Sequence, residues 1–444
     1  MRLLGVHRLH HRMGGAEAVH LDHLALFRER GWTCAEFAMA HPDNEPSEWK
    51  DYFPSYYAPR SDLSGIAALP RFFYSGEARR QFARLLDDFR PDVIHAHGLY
   101  HQLTSSILKP ARERGIPVVY TLHDYKLICP AYHFYNDHDG VCEKCAGGRQ
   151  WNCATRRCAR ESLAKDIVYA ADGLMQWHFG DLRETIARFV GPSRFIVEKF
   201  AEHGFPREKL RYVPNFFETT DDVAVSAAEV EAIRTEHGRH ILYFGRLSSE
   251  KGVNRLIDAA ASAGANLVIV GEGPKRTELE ARARALGGGC VFTGHLKGAR
   301  LWAHVEAASA VALPSLWYEN APKSVLEAQA RARPIVTTRI GGLPELVEDG
   351  VGGLVVEPGD RGALADALRR ILAMSDGELA GLGARGRERA LTAFTRDRYY
   401  REMVDIYGEL TPGLASAASL IQASAHAELS TGSADHKRRA LHGA

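Results

Sequence analysis

The sequence contains no apolar run approaching the ~18–20 residues that a bilayer crossing needs, so it does not read as a membrane-spanning chain. It also lacks a charge excess. Its 56 Lys and Arg against 55 Asp and Glu leave a formal charge of +1, which argues against a nucleic-acid coat or a polybasic tail. The opening Met1-Arg2-Leu3-Leu4-Gly5-Val6-His7-Arg8 is apolar too briefly for a signal peptide before basic residues arrive. A cytoplasmic protein is therefore expected. An even cysteine count is missing too: there are seven, and five fall between Cys129 and Cys158. In a reducing compartment that cluster reads as thiols or a metal site before it reads as disulfides. What is present is an ordinary globular balance, 45% hydrophobic and 25% charged over 444 residues. That excludes global disorder and leaves room for a sizeable core. At roughly 100–200 residues per domain, two large domains are the simplest division.

Short apolar runs alternate with longer helical stretches. Residues 2–7, 93–96 and 118–122 read as strands, residues 16–30 as a helix ended by Gly31, and 102–114 as a helical stretch. A Pro-, Tyr- and Ser-rich segment at 41–70 interrupts this half and reads as a long loop. A second series supplies strands at 241–244, 267–270, 291–293, 310–313, 334–337 and 354–356. Helices at 253–263, 275–286, 299–307 and 323–331 separate them. This βα rhythm predicts an α/β protein with two doubly wound, Rossmann-like domains facing an interdomain cleft, with ligands at the carboxyl ends of the strands. The expected division is 1–217, with a Cys-rich insert at about 125–160, a linker at 218–237 and a second domain at 238–394. A helix at 395–410 packing back on the first domain and an Ala/Ser-rich tail at 411–444 complete it. The tail carries Lys437-Arg438-Arg439 five residues before its last residue and reads either as a poorly ordered extension or as a basic end touching a membrane.

Three pieces of the second half carry chemistry. In Phe244-Gly245-Arg246-Leu247-Ser248-Ser249-Glu250-Lys251-Gly252 two cations flank a strand-to-helix turn. The planar fork of Arg246, the point charge of Lys251 and the helix N-terminus behind them suit a diphosphate. In Val270-Gly271-Glu272-Gly273-Pro274, Gly271 and Gly273 let the backbone bend close to a ligand, and Pro274 suits a helix start. In Glu319-Asn320-Ala321-Pro322-Lys323-Ser324-Val325-Leu326-Glu327, two carboxylates with seven residues between them flank a helix start, one placed for a ribose and one for a sugar. The first half adds Met13-Gly14-Gly15-Ala16-Glu17, whose turn N–H groups at Gly14 and Gly15 can face phosphate or acceptor. It also carries histidines at two strand ends, His95-Ala96-His97 and Thr121-Leu122-His123-Asp124. An adjacent carboxylate can fix a histidine's tautomer for hydrogen bonding to a sugar hydroxyl.

With these pieces, and with Pro314-Ser315 and Gly341-Gly342-Leu343-Pro344-Glu345 following in order, the chain resembles the retaining glycosyltransferases of family 4, which have the two-domain GT-B fold. The resemblance implies that Arg246 and Lys251 bind the donor diphosphate and stabilise the leaving phosphate, that Glu327 holds the nucleotide ribose, and that Glu319 faces the transferred sugar. Backbone amides around Asn320 and Ala321, with Ser324 on the helix start, help place that sugar. His123 is implied to contact the donor sugar with Asp124 beside it, and His97 to stand on the acceptor side. Many members have Glu-Gly-Phe-Gly where this chain has Glu319-Asn320-Ala321-Pro322, a departure that bears on sugar specificity rather than on class.

The cysteine segment is Cys129-x12-Cys142-x2-Cys145-x7-Cys153-x4-Cys158. Similar Cys-rich inserts occur in related bacterial glycosyltransferases. Four thiolates can hold a structural zinc, with Cys142, Cys145, Cys153 and Cys158 preferred and Cys129 in reserve. Reduced thiols and disulfides remain the alternatives. A basic and aromatic stretch at Arg71-Phe72-Phe73-Tyr74, Arg79, Arg80 and Arg84, with Arg156, Arg157 and Arg160, reads as an ordinary amphipathic helix or as a face resting on anionic lipid.

The expected activity is transfer of a sugar from a nucleotide diphosphate sugar, UDP- or GDP-linked, to a hydroxyl of a glycan or lipid-linked acceptor. Surface polysaccharide or glycolipid synthesis is the expected setting, with no catalytic metal, no nucleic acid and peripheral membrane contact at most. A GT-B-fold epimerase or phosphorylase, or a non-catalytic nucleotide-sugar-binding protein, are the competing readings. The phosphorylase reading lacks a recognisable pyridoxal lysine.

Overall fold

The computed structural model describes residues 1–57, 70–158, 162–217 and 223–411. The first domain is built on β1 (Arg2–His7), β2 (Thr33–Phe37), β3 (Val93–Gly98), β4 (Val118–Thr121), a small hairpin of β5 (Tyr135–Asn136) and β6 (Gly140–Val141), β7 (Ile186–Gly191) and β8 (Leu210–Tyr212). Apart from the hairpin these strands are parallel, in the order β2-β1-β3-β4-β7-β8. The second domain has β9 (His240–Phe244), β10 (Asn266–Val270), β11 (Cys290–Gly294), β12 (Ala310–Leu313), β13 (Ile335–Thr338) and β14 (Gly353–Val356). Their order is β11-β10-β9-β12-β13-β14, again all parallel.

The strands read as continuous apolar runs because helices cover both faces of each sheet. Every residue of β3, β4, β9, β12 and β13 is buried. Each sheet reverses its strand order once, between β1 and β3 and between β9 and β12, and ligands of open α/β sheets bind outside the strand ends at such a reversal. The motif loops following β9 and β12 leave from the second of these points.

The helix Arg396–Leu410 starts with the Thr395 hydroxyl accepting the Arg398 N–H. It lays Tyr399, Met403 and Tyr407 against Leu3, Leu24, Phe27, Val93 and Val119 of the first domain, each such side chain contributing about 2 kcal/mol of burial. The Trp32 indole donates to the Tyr400 hydroxyl at 3.0 Å. The end of the second domain's chain is thereby fastened to the first domain's core.

Three features differ from the sequence reading or lie outside it. The stretch near 102–114 is a 3-10 turn, Ser105–Ile107, followed by a six-residue helix, Leu108–Glu113. Pro110 lacks an N–H and fits only the first turn of a helix, so the helix cannot extend back through it. Strands β2, β7 and β8 escape pattern reading, since Arg188 and Arg211 interrupt the apolar runs of the last two. Residues 58–69 of the 41–70 segment, 218–222 of the linker and 412–444 of the tail lie outside the described residues, and the rest of the linker region carries the helix Ala227–His237. No helix among the described residues is long and apolar enough to cross a membrane.

Candidate active site

The second-domain half of the cleft is a set of loops braced against one another through backbone. The Gly245 N–H donates to the Val270 carbonyl at 3.0 Å, the Leu247 N–H to the Glu272 carbonyl at 2.9 Å and the Lys275 N–H to the Leu247 carbonyl at 3.0 Å. A Cβ on Gly271 would collide with the Gly245 carbonyl, and one on Gly273 with the Leu247 backbone. Both glycines therefore permit the close approach of the loop that carries Arg246. The Arg246 carbonyl accepts the Tyr243 hydroxyl at 2.8 Å. Its side chain is exposed, is sensed electrostatically by Tyr132, and has no ion-pair partner among the described residues.

Lys251 closes the 3-10 turn Ser249–Lys251. Gly252 follows at φ +69°, a conformation costly for other residues, and its missing side chain leaves room for the Pro314 carbonyl. The Leu316 N–H donates to the Glu250 carbonyl at 2.8 Å, joining the β9 and β12 loops. This geometry puts Lys251 Nζ 2.6 Å from Glu319 Oε1 and 5.1 Å from the centre of the Trp317 ring. The Ser315 hydroxyl donates to the same Oε1 at 2.6 Å. Glu319 is buried, and among the described residues nothing bonds its Oε2. The turn behind Glu319 is held by Gly341 and Gly342, where a Cβ would strike the Glu319 and Asn320 carbonyls, and the Gly342 N–H reaches the Glu319 carbonyl at 2.7 Å.

Glu327 lies on the helix Lys323–Ala330, half-buried, as are Ala321 and Ser324 ahead of it. Burial raises the Glu327 pKa, with Lys323 opposing the shift and Asp22 adding to it. A polar ligand hydroxyl would replace part of the lost hydration.

On the first-domain side, Gly14 and Gly15 begin the 15-residue helix Gly15–Glu29 and are exposed. Gly14 carries no capping side chain, so the positive end of this helix is open. His123 follows β4, with Nε2 2.9 Å from His97 Nδ1 and the rings stacked at 5.2 Å. Burial depresses its pKa to about 3, so it is a neutral hydrogen-bonding group at physiological pH. The sequence reading gave the tautomer-fixing contact to the adjacent Asp124; the structure gives it to His97. Asp124 turns away from the histidine, accepting the Tyr100 hydroxyl and, at 2.9 Å, the Lys126 N–H. Burial raises the Asp124 pKa, and these two hydrogen bonds oppose the shift.

The two halves are bolted together next to Glu319. The Asn320 amide donates to the Leu122 carbonyl at 2.8 Å and the His123 carbonyl at 3.4 Å, and accepts the Ser193 hydroxyl at 2.8 Å. Asn320 was expected to act through its backbone; its side chain spans the cleft. Lys323 pairs with Asp22 at 2.8 Å. The Glu345 carboxylate accepts the Arg194 and Phe195 N–H groups, each at 2.8 Å, at the start of the helix Arg194–Glu202. Tyr318 donates to Glu143 at 2.6 Å, and Lys199 pairs with the same carboxylate at 3.0 Å. Sequence reasoning missed Asp22, Glu143, Ser193 and the role of Glu345. Ser193 three residues ahead of Ile196 is a legible N-cap, but partners some 150 residues away leave no local signal.

Two further segments singled out in the sequence are placed as follows. Among the cysteines, Cys129, Cys145, Cys153 and Cys158 are buried together in the first-domain core, whereas Cys142 is half-buried. In the basic stretch, Phe72 is buried and stacked on His101, Arg71 pairs with Glu77 at 2.7 Å, and Arg156 and Arg157 face Asp139 and Asp166. Arg160 lies outside the described residues. The nitrogens of His23, His95 and His97 converge within 4.8 Å, but the ring nitrogens of His23 and His95 bond Tyr399, Tyr407 and Thr121. That cluster is a hydrogen-bonded core rather than an open metal centre.

Comparison with known proteins gives a consistent picture. Residues 13–221 match the family described as Glycosyltransferase Family 4, and residues 238–374 match Glycosyl transferases group 1. The 2-deoxystreptamine glucosyltransferase of Streptomyces kanamyceticus is 31% identical over 344 residues, covering 74% of this chain and 80% of that one. The alpha-D-kanosaminyltransferase of the same organism is 36% identical over 139 residues, 30% of this chain and 36% of that protein's length. Among solved structures, Anabaena HepE in complex with UDP and glucose superposes with a TM-score of 0.64 at 18% identity, covering 92% of this chain and 100% of the other. At that identity the likeness establishes the two-domain GT-B fold.

Proposed function

The chain belongs to the family 4, group 1 glycosyltransferases, and from that premise we propose that it transfers a sugar, with retention of anomeric configuration, from a UDP- or GDP-linked donor to a hydroxyl of a glycan or lipid-linked acceptor. The observation that carries this reading is the Lys251–Glu319 pair at the β9/β12 reversal, with Arg246 exposed in the same loop after β9 and without an ion-pair partner among the described residues. When the bond from the sugar carbon to the phosphate oxygen breaks, negative charge grows on the departing diphosphate. Arg246 and Lys251 stabilise that charge in place, as preorganised cations do in water-poor sites. Lys251 meanwhile orients Glu319, whose Oε2 is left to accept a hydroxyl of the transferred sugar. Glu327 meets the ribose, and Gly14 and Gly15 face the cleft from the first domain. Neutral His123, oriented by His97, hydrogen-bonds the sugar from the opposite wall. These cations take the part that a divalent ion plays elsewhere, so turnover needs none.

UDP is the first donor base to test, because the Anabaena neighbour was captured with UDP. Surface polysaccharide or glycolipid synthesis is the proposed setting, with the acceptor entering from the first domain. The experiment is turnover with UDP- and GDP-sugars against a panel of glycan and lipid-linked acceptors. Acceptor-dependent release of nucleoside diphosphate and an NMR-assigned product of retained configuration support the reading. Acceptor-independent rearrangement of the donor supports an epimerase instead, and an inverted product contradicts retention.

A further inference from the structure

We propose that the helix Leu163–Phe179 lies flat on an anionic lipid bilayer and holds the first-domain wall of the cleft at that surface, a placement that rests on the glycosyl-transfer reading above. This helix reverses the usual order of a surface helix, apolar inward and polar outward. Its buried residues are Asp166, Ala170, Asp172 and Gly173. Outward, at about 3.6 residues per turn, Leu163, Ile167, Ala171, Leu174, Met175 and Phe179 share a sector of about 160° whose only polar side chain is His178. Leu163, Ile167 and Phe179 are 48%, 52% and 80% exposed. Trp151, at the start of the short helix Asn152–Thr155 that packs against this one, is 51% exposed. Scattered single apolar residues on a surface need no explanation, but a stripe running the length of a helix marks a docking surface.

The inward face fixes this orientation and ties it to the cleft. Lys126 Nζ lies 2.9 Å from Asp172 Oδ2, and both residues are buried. Turning the helix over would leave that buried lysine unpaired. A Cβ on Gly173 would come within 2.7 Å of Pro130, and one on Gly148 would strike the Trp177 indole, so the inner face is seated by close contact. Tyr169 stacks on His101 at 5.5 Å. His101 and Lys126 stand in the loops that leave β3 and β4, beside His97 and His123. The helix therefore roofs the strand ends that form the first-domain wall.

Charge identifies the occupant. From Lys144 to Gly180 the described residues carry the cations Lys144, Arg149, Arg156, Arg157 and Lys165, all exposed or half-buried. The acids of the same stretch are Asp166 and Asp172, both turned inward. Lys144 and Arg156 share Asp139, and Arg157 faces Asp166, so the surface around the stripe stays positive. A second copy of the chain would bring the same cations face to face. An anionic bilayer supplies negative headgroups and an apolar layer together. At about 1.5 Å per residue the 17-residue helix is about 26 Å long, short of the ~30 Å hydrocarbon core, and its aspartates line one side. It lies in the interface and does not span. The cleft then opens where the headgroup hydroxyls of a lipid-linked acceptor are presented.

The test is sedimentation of the full chain with vesicles of phosphatidylcholine alone or with roughly one-third phosphatidylglycerol. The chain should bind the anionic vesicles, bind the neutral ones at least about tenfold more weakly, and be released by high salt. Ile167→Glu and Phe179→Glu should each weaken partitioning to anionic vesicles at least about tenfold. Both side chains are exposed, so the melting temperature should stay as in the wild type. Leu286→Glu, at an exposed apolar residue of the second domain, should bind like the wild type. No binding of the wild type to anionic vesicles overturns the proposal. So does equal binding by Ile167→Glu, Phe179→Glu and Leu286→Glu. A wild-type dimer that Phe179→Glu dissolves, without vesicle binding, also overturns it and gives the stripe to a second copy. The measurement needs neither donor nor acceptor, so its failure is separate from any failure of the glycosyl-transfer reading.

Discussion

The two walls of the cleft are built on different principles. The second-domain wall is a backbone construction, in which short loops after β9, β10 and β12 lock together where glycines allow carbonyls to approach. Its chemistry sits on residues close in sequence to those glycines. The first-domain wall is a side-chain construction. His123 is set by His97, and His95 and His23 are set by hydroxyls of Thr121, Tyr399 and Tyr407, up to 384 positions away. The first kind of wall writes a motif into the sequence; the second leaves scattered histidines.

The largest expected effect strikes the charge of the second wall. Lys251→Ala should lower kcat about 10²–10³-fold, the usual consequence of removing one preorganised group from a charge-stabilising site. Steady-state release of nucleoside diphosphate measures it, and kcat within a factor of two of wild type would break the assignment. The backbone construction comes next. Gly271→Ala should destabilise the protein by about 3 kcal/mol, through its clash and its φ of +145°. Gly15→Ala, whose Cβ meets nothing within 4 Å, should change stability by less than ~0.5 kcal/mol. Urea denaturation of both variants sharpens the contrast, and equal losses would erase it.

The first wall should instead be sensitive to acid. Burial holds His23 and His123 at about 3 and His7 at about 4, below the ordinary 6.5. Between those values and 6.5 the unfolded chain binds protons that the folded chain refuses. The stability these neutral histidines allow is therefore complete above pH 6.5 and is lost as pH falls. The slope is about 1.4 kcal/mol per pH unit for each histidine. Thermal unfolding between pH 7 and pH 4 should show the melting temperature falling, and a flat profile would contradict the burial of this cluster. The smallest effect lies where the walls meet. Asn320→Gly removes the amide's hydrogen bonds to Leu122 and Ser193, worth about 1 kcal/mol net. It should raise the acceptor KM roughly fivefold with little change in kcat.

This contrast also explains what the sequence made legible. Strands β9 to β14 stand out because apolar runs of four or five residues end in glycine or polar turns, and the pieces around Arg246, Lys251, Glu319 and Glu327 are local. Arg188 and Arg211 concealed β7 and β8. The contact of Asp124 was misjudged because adjacency in sequence suggested adjacency in space, while consecutive loop residues point apart. Asn320 was legible as a departure from its family's glycine, but its reach to Leu122 and Ser193 required both domains in place.

The central claim is that Arg246 and Lys251 meet a nucleoside diphosphate in the cleft. Calorimetric titration of UDP and GDP into the wild-type chain, Arg246→Ala, Lys251→Ala and Glu272→Ala tests it directly. One diphosphate should bind wild type and Glu272→Ala alike and lose at least about tenfold in affinity, about 1.4 kcal/mol, in each of the other two. Unchanged binding of that diphosphate to both Arg246→Ala and Lys251→Ala would contradict the account.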